Sequence, residues 1–178
     1  TKNVKTEKSL QILAFLAVLI AAPACAIAAN YTLAWTSGSA NTARGAAWGA
    51  YDSDGNLDFV VASAGQGTRV WRGNGAGAFT LQWTSAQTDD TRDVAFGDYG
   101  RDGDLDIATA NAGGQNRVYR NDGVSSFTLV WSSTETDATR SIEWGDYDND
   151  GDLDILAGNY GAPSRIYRND GAGAFNLI

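Results

Sequence analysis

Residues 79–126 read FTLQWTSAQTDDTRDVAFGDYGRDGDLDIATANAGGQNRVYRNDGVSS, and residues 127–174 read FTLVWSSTETDATRSIEWGDYDNDGDLDILAGNYGAPSRIYRNDGAGA. Laid over each other without a gap, the two stretches agree at about 26 of 48 positions. Agreement at that level over a fixed period is the mark of a repeat architecture. The same step extends in both directions. Trp35, Trp83 and Trp131 are 48 apart, as are Arg44, Arg92 and Arg140, and Arg69, Arg117 and Arg165. Tyr31, Phe79, Phe127 and Phe175 mark four successive openings. Three repeats are therefore expected at 31–78, 79–126 and 127–174, with a partial strand at 175–178.

Within one repeat the pattern is β. Phe79 to Trp83 alternates apolar and polar residues, as a half-buried strand does. Short runs at 93–96, 105–110 and 117–120 give three more strands, separated by turns rich in Gly, Asn and Asp. No stretch after residue 30 keeps a helical period. Four strands in 48 residues is the size of one propeller blade, so the expected fold is all-β, a β-propeller-like array of three four-stranded blades. Three blades are too few to close a ring. Open sheet edges tend to pair with other chains. The 175–178 strand repeats the start of the opening strand at 31–37, so a head-to-tail contact between copies is expected, giving a ring or an open filament. A piece of a longer repeat protein is the other reading.

The segment before the repeats is different. Lys2, Lys5 and Lys8 precede an apolar run at 12–22, followed by Pro23 and small residues in an A-x-A pattern. Residues 1–30 read as a secretory signal peptide or as a retained apolar helix. Without Lys2, Lys5, Lys8 and Glu7, ten Arg face twenty Asp and Glu, a net charge of −10. That balance excludes a nucleic-acid binder acting through a basic face. The chain has no His and one Cys. This removes His-based acid–base chemistry, the common zinc sites and any disulfide framework, and no enzyme is expected.

The chemistry lies in the loop between the second and third strands of each repeat. The third copy runs Asp146, Tyr147, Asp148, Asn149, Asp150, Gly151, Asp152, Leu153, Asp154. Carboxylates stand at positions 1, 3, 5 and 9 of the loop, and position 7, Asp152, offers its carbonyl. Calcium takes six to eight oxygen ligands, and a tight loop with alternating Asp wraps them around one ion. The second copy supplies Asp98, Asp102, Asp104 and Asp106, with Gly100 at position 3. The first supplies Asp52, Asp54, Asn56 and Asp58, with Ala50 at position 1. The third loop is expected to bind calcium most tightly.

Phe96-Gly97-Asp98 and Trp144-Gly145-Asp146 lead into the acidic loop, and Arg168-Asn169-Asp170-Gly171 closes the unit. These motifs resemble the FG-GAP/VCBS repeats of integrin alpha-chain propellers and of many secreted bacterial proteins. The resemblance covers residues 31–178 and implies calcium loops and an extracellular or cell-surface setting. Ala50 and Gly100 depart from the pattern. The expected function is a calcium-binding structural or adhesive module that binds copies of itself and other surface proteins. The alternative is a lectin holding glycans through the recurring Trp and Arg. The aromatic residues 48, 96 and 144, with Trp35, Trp83 and Trp131, sit on alternating strands and favour core packing over sugar stacking.

Overall fold

The computed structural model describes residues 33–38, 41–123, 126–171 and 173–178. All but Leu33 belong to one compact unit, Ala34–Ile178. The signal peptide or apolar helix expected at 1–30 lies outside the described residues. Among the described residues no helix occurs, and so none long and apolar enough to cross a membrane.

Twelve strands form three separate four-stranded antiparallel sheets, each following chain order. The first holds β1 (Ala43–Gly49), β2 (Asp58–Ser63), β3 (Arg69–Gly73) and β4 (Phe79–Thr84). The second holds β5 (Thr91–Gly97), β6 (Asp106–Asn111), β7 (Arg117–Asn121) and β8 (Phe127–Ser132). The third holds β9 (Thr139–Gly145), β10 (Asp154–Asn159), β11 (Arg165–Asn169) and β12 (Phe175–Leu177). The sheets stack as blades without closing: β5 lies against β1 on one side and β9 on the other.

The blades are phased one strand later than the sequence repeats. The strand that opens each repeat is the outer strand of the preceding blade, so Phe175–Leu177 completes the third sheet. Residues 33–37, the equivalent of β4 and β8, form no strand, because no described strand lies beside them to pair with. Trp35 instead caps the first blade, edge-on to Phe59, Trp71 and Phe79.

Two apolar layers hold the blades together. Tyr51, Val60, Ala62 and Val70 of blade 1 pack against Val94, Ile107 and Tyr119 of blade 2. Ala95, Ala108, Ala110 and Val118 of blade 2 pack against Ile142, Ile155 and Tyr167 of blade 3. The central strand β6 is buried at all six residues because a blade covers each of its faces. Removing each such Ile or Val from water contributes about 1.5–3 kcal/mol.

Glycine lets neighbouring blades approach closely at two places. A Cβ on Gly49 would lie 2.7 Å from the Phe96 ring, and one on Gly97 would lie 2.6 Å from the Trp144 ring. Each aromatic at the end of the first strand thus rests on the glycine of the blade before it.

The periodic arginines 44, 92 and 140 have a backbone role. Registers run from Ala43 to Gly45, from Thr91 to Asp93 and from Thr139 to Ser141 against consecutive partners. Each arginine is the extra residue of a β-bulge, which bends the first strand toward its neighbour. Arg92 pairs with Asp90 at 2.5 Å, and Arg140 lies over the Tyr160 ring.

Candidate metal centre

Each acidic loop links the first strand of a blade to the second. Three constraints shape it. Position 4 (Ser53, Arg101 or Asn149) is left-handed, with φ of 55–61°. Position 6 is left-handed too, and Gly151 there has φ of 90°, a region that glycine enters without steric cost. Carboxylates then tie the turn by accepting from its own backbone. Asp146 accepts from the N–H of Asp150 at 3.1 Å and of Gly151 at 3.0 Å, while Asp150 accepts from Asp152 at 2.8 Å.

Position 9 has the largest structural role. The Asp154 carboxylate is buried and accepts from the Tyr147 N–H at 3.0 Å and the Asn169 N–H at 2.8 Å. Asp58 does the same for Tyr51 and Gly73, and Asp106 for Tyr99 and Asn121. Burial, ahead of the neighbouring acids, lifts the Asp106 carboxyl to about 7 and raises Asp58 as well. A cation beside these groups would offset that cost.

The three loops differ in what they bring together. In loop 3, oxygens of Asp146, Asp148 and Asp154 lie within 4.8 Å of one another, the one such group among the described residues. Ligands at 2.3–2.6 Å from a shared ion are at most about 5 Å apart, so this all-oxygen set fits calcium. The Asp152 carboxylate turns away and meets Arg101 at 3.1 Å. Arg101 also donates to the carbonyls of Gly151 at 2.7 Å and Asp150 at 3.2 Å, tying loop 2 to loop 3.

Loop 2 keeps the Asp98 tie, accepting from Asp102 and Gly103 as Asp146 does in loop 3. A Cβ at Gly100 would have ordinary room, 3.6 Å from the nearest side-chain atom. Gly100 is thus a missing ligand and not a packing requirement.

Loop 1 already holds a cation of its own. Arg72 Nε lies 2.5 Å from Asp52 Oδ2, and its Nη2 lies 2.8 Å from Asp54 Oδ2. The backbone N–H of Asn56 and then Arg72 hold the Asp54 carboxyl below its usual range. Arg120 and Arg168 occupy the equivalent positions but pair with Asp122 and Asp170 at 2.7 Å. Blade 1 has Asn74 at that place, so Arg72 turns to the loop. The exchange of Asp for Asn at position 74 was the sequence signal for it.

Other recurring residues act in structure. Arg117 pairs with Asp89 at 2.7 Å, Arg165 with Asp137 at 2.6 Å, and Arg69 donates to Asn41 at 2.9 Å. Trp83 packs edge-on to Tyr119, and Trp131 edge-on to Tyr167. Asn121 donates to the Tyr51 carbonyl and Asn169 to the Tyr99 carbonyl, each a bond between successive blades.

Four-stranded blades of this length, each with an acidic loop between its first and second strands, define an acidic-loop type of β repeat. The family model for the FG-GAP-like repeat matches residues 51–109 and 101–157. The chain belongs to the FG-GAP-like repeat family. No curated protein matches the chain. Repeats of this family are typical of extracellular or surface proteins.

Proposed function

We propose that the chain is a calcium-stabilised structural module of an extracellular or cell-surface assembly, a propeller-like array that binds further copies of itself. The observation that carries the calcium reading is the convergence of Asp146, Asp148 and Asp154 within 4.8 Å in a loop whose backbone is already set. Asp146, Asp148, Asp150 and Asp154 would hold the ion with the Asp152 carbonyl. The bound ion would neutralise carboxylates that otherwise repel one another and would lock the turn between β9 and β10. The role is structural: the recurring acids are committed to turn geometry, and the recurring arginines to bulges and ion pairs. The recurring Trp35, Trp83 and Trp131 are engaged in packing, which leaves the lectin reading with less support.

The test is a thermal melt in calcium and in EDTA. An ion present at 100 times its dissociation constant stabilises the folded state by about 2.7 kcal/mol. Calcium is therefore expected to raise the melting temperature by about 5–10 °C. Identical melts in calcium and EDTA would sink the calcium reading.

A further inference from the structure

The two outer faces of the blade stack carry the two halves of a blade-to-blade contact. We infer that blade 1 of one chain docks on blade 3 of a second copy, with Trp48 seated over Gly145. This deepens the self-association proposed above and rests on it, but it does not require calcium.

The argument is the continuity of an interface that the chain makes twice within itself. Phe96 rests on Gly49 and Trp144 rests on Gly97. The next members of the two series are left over. Among the described residues, nothing lies within 4 Å of a Cβ built on Gly145. Trp48, the counterpart of Phe96 and Trp144, is 61% exposed. The loop tyrosine follows the same rule. Tyr51 and Tyr99 are 0% and 8% exposed and meet Phe127 and Phe175 of the following blade, whereas Tyr147 is 44% exposed.

The fit is reciprocal. Gly145 and Tyr147 border a hollow of about 210 Å³ on blade 3. Beside it Leu156, paired in register with Glu143, stands 50% exposed. Blade 1 offers the complement, a hollow of about 410 Å³ lined by Ala46, Val61 and the rings of Trp35 and Phe59, and docking would displace residues 33 and 34 from the place that Leu177 and Ile178 of the second copy take. At the first internal boundary the residues in these positions are Val60 and Val94, and at the second they are Ala108 and Ile142. Leu156 with Ala46 keeps nearly the summed volume of Ala108 with Ile142, with the large residue on the other side.

Polar groups fit the same register. Trp144 donates its indole N–H to the Ala95 carbonyl, so Trp48 would donate to the Glu143 carbonyl of the second copy. The Arg92 backbone lies against Gly45, so Arg44 would lie beside Ser141 on the strand that carries Glu143. Arg44 and Glu143 are exposed and oppositely charged, and neither forms an ion pair among the described residues. Gly73 stands where Asn121 and Asn169 make their interblade bonds. The junction between chains lacks that bond and is weaker than the internal ones. Each contact leaves the opposite faces open, so growth is head-to-tail.

The test uses the full chain in calcium, with mass followed by light scattering and sedimentation over a concentration series. Wild type is expected to grow beyond two chains. Trp48→Ala removes the projection and Gly145→Trp fills the hollow, and each alone should weaken association by about 30-fold or more. An equal mixture offers one intact junction per pair and should stop at two chains. Cooperative melts of both variants at a concentration too low for association, with Trp48→Ala lower through the loss of its packing on Phe59 and Phe79, would show that they fold. Association of either variant at the wild-type level would overturn this interface while leaving self-association in place. A monomeric wild type would overturn both. Assembly that survives EDTA with the mixing pattern intact would uphold the interface without the calcium reading.

Discussion

Replacing Asp106 with alanine is expected to lower the stability of the chain by about 2–5 kcal/mol, a fall in melting temperature of about 10 °C. The carboxylate is 1% exposed and accepts from the Tyr99 N–H at 3.2 Å and the Asn121 N–H at 2.8 Å. Alanine would leave both donors buried and unpaired, and each such loss costs about 1–3 kcal/mol. Those two residues anchor the start of loop 2 and the end of β7, so the loss would reach the contact with blade 1 through Asn121.

The same residue gives the metal-free protein a pH dependence. Burial lifts the Asp106 carboxyl from 3.8 to about 7. A carboxyl raised in the folded state favours folding when protonated. Its contribution is complete below about pH 4 and is lost as pH rises through about 7. In EDTA, wild type should lose stability relative to Asp106→Asn between pH 4.5 and 7. A wild type that gains on the variant over that window would contradict this assignment. Denaturant melts at several pH values read both effects.

The second large effect separates two glycines that the sequence makes equivalent. Gly97→Ala is expected to destabilise by about 2–3 kcal/mol, because its Cβ would lie 2.6 Å from the Trp144 ring and force that ring out of its seat. The indole N–H would then lose the Ala95 carbonyl. At a concentration too low for association, Gly145→Ala is expected to change stability by less than about 0.5 kcal/mol, since within one chain it adds a methyl to open space. Equal losses at both positions in thermal melts would mean that the glycines are needed for backbone reasons and not for the neighbouring aromatic.

Much of this was legible in the sequence because period and alternation are local. The 48-residue step, the four strands per unit and the positions of the acidic loops follow from the order of Trp, Gly and Asp alone. What stayed hidden depends on partners. Periodicity shows that Arg92 recurs but not that it is the extra residue of a bulge, which only strand register reveals. The strand at 79–84 pairs backward with β3, a choice that its own alternation does not encode. The repeat could not show that Asp58, Asp106 and Asp154 each bind two backbone donors, since metal ligation and turn closure call for the same residue. Arg72 turned on one substitution elsewhere, Asn74, whose effect passes through space and not along the chain.

The inequality of the three loops is best tested by counting calcium. Isothermal titration of the full chain, after EDTA treatment and dialysis, should give one tight site per chain. Asp148→Asn should remove it, whereas Asp52→Asn should leave it intact, because the Arg72 guanidinium answers the Asp52 charge. Three equal sites, or a tight site that survives Asp148→Asn and is lost in Asp52→Asn, would contradict the assignment of the ion to loop 3.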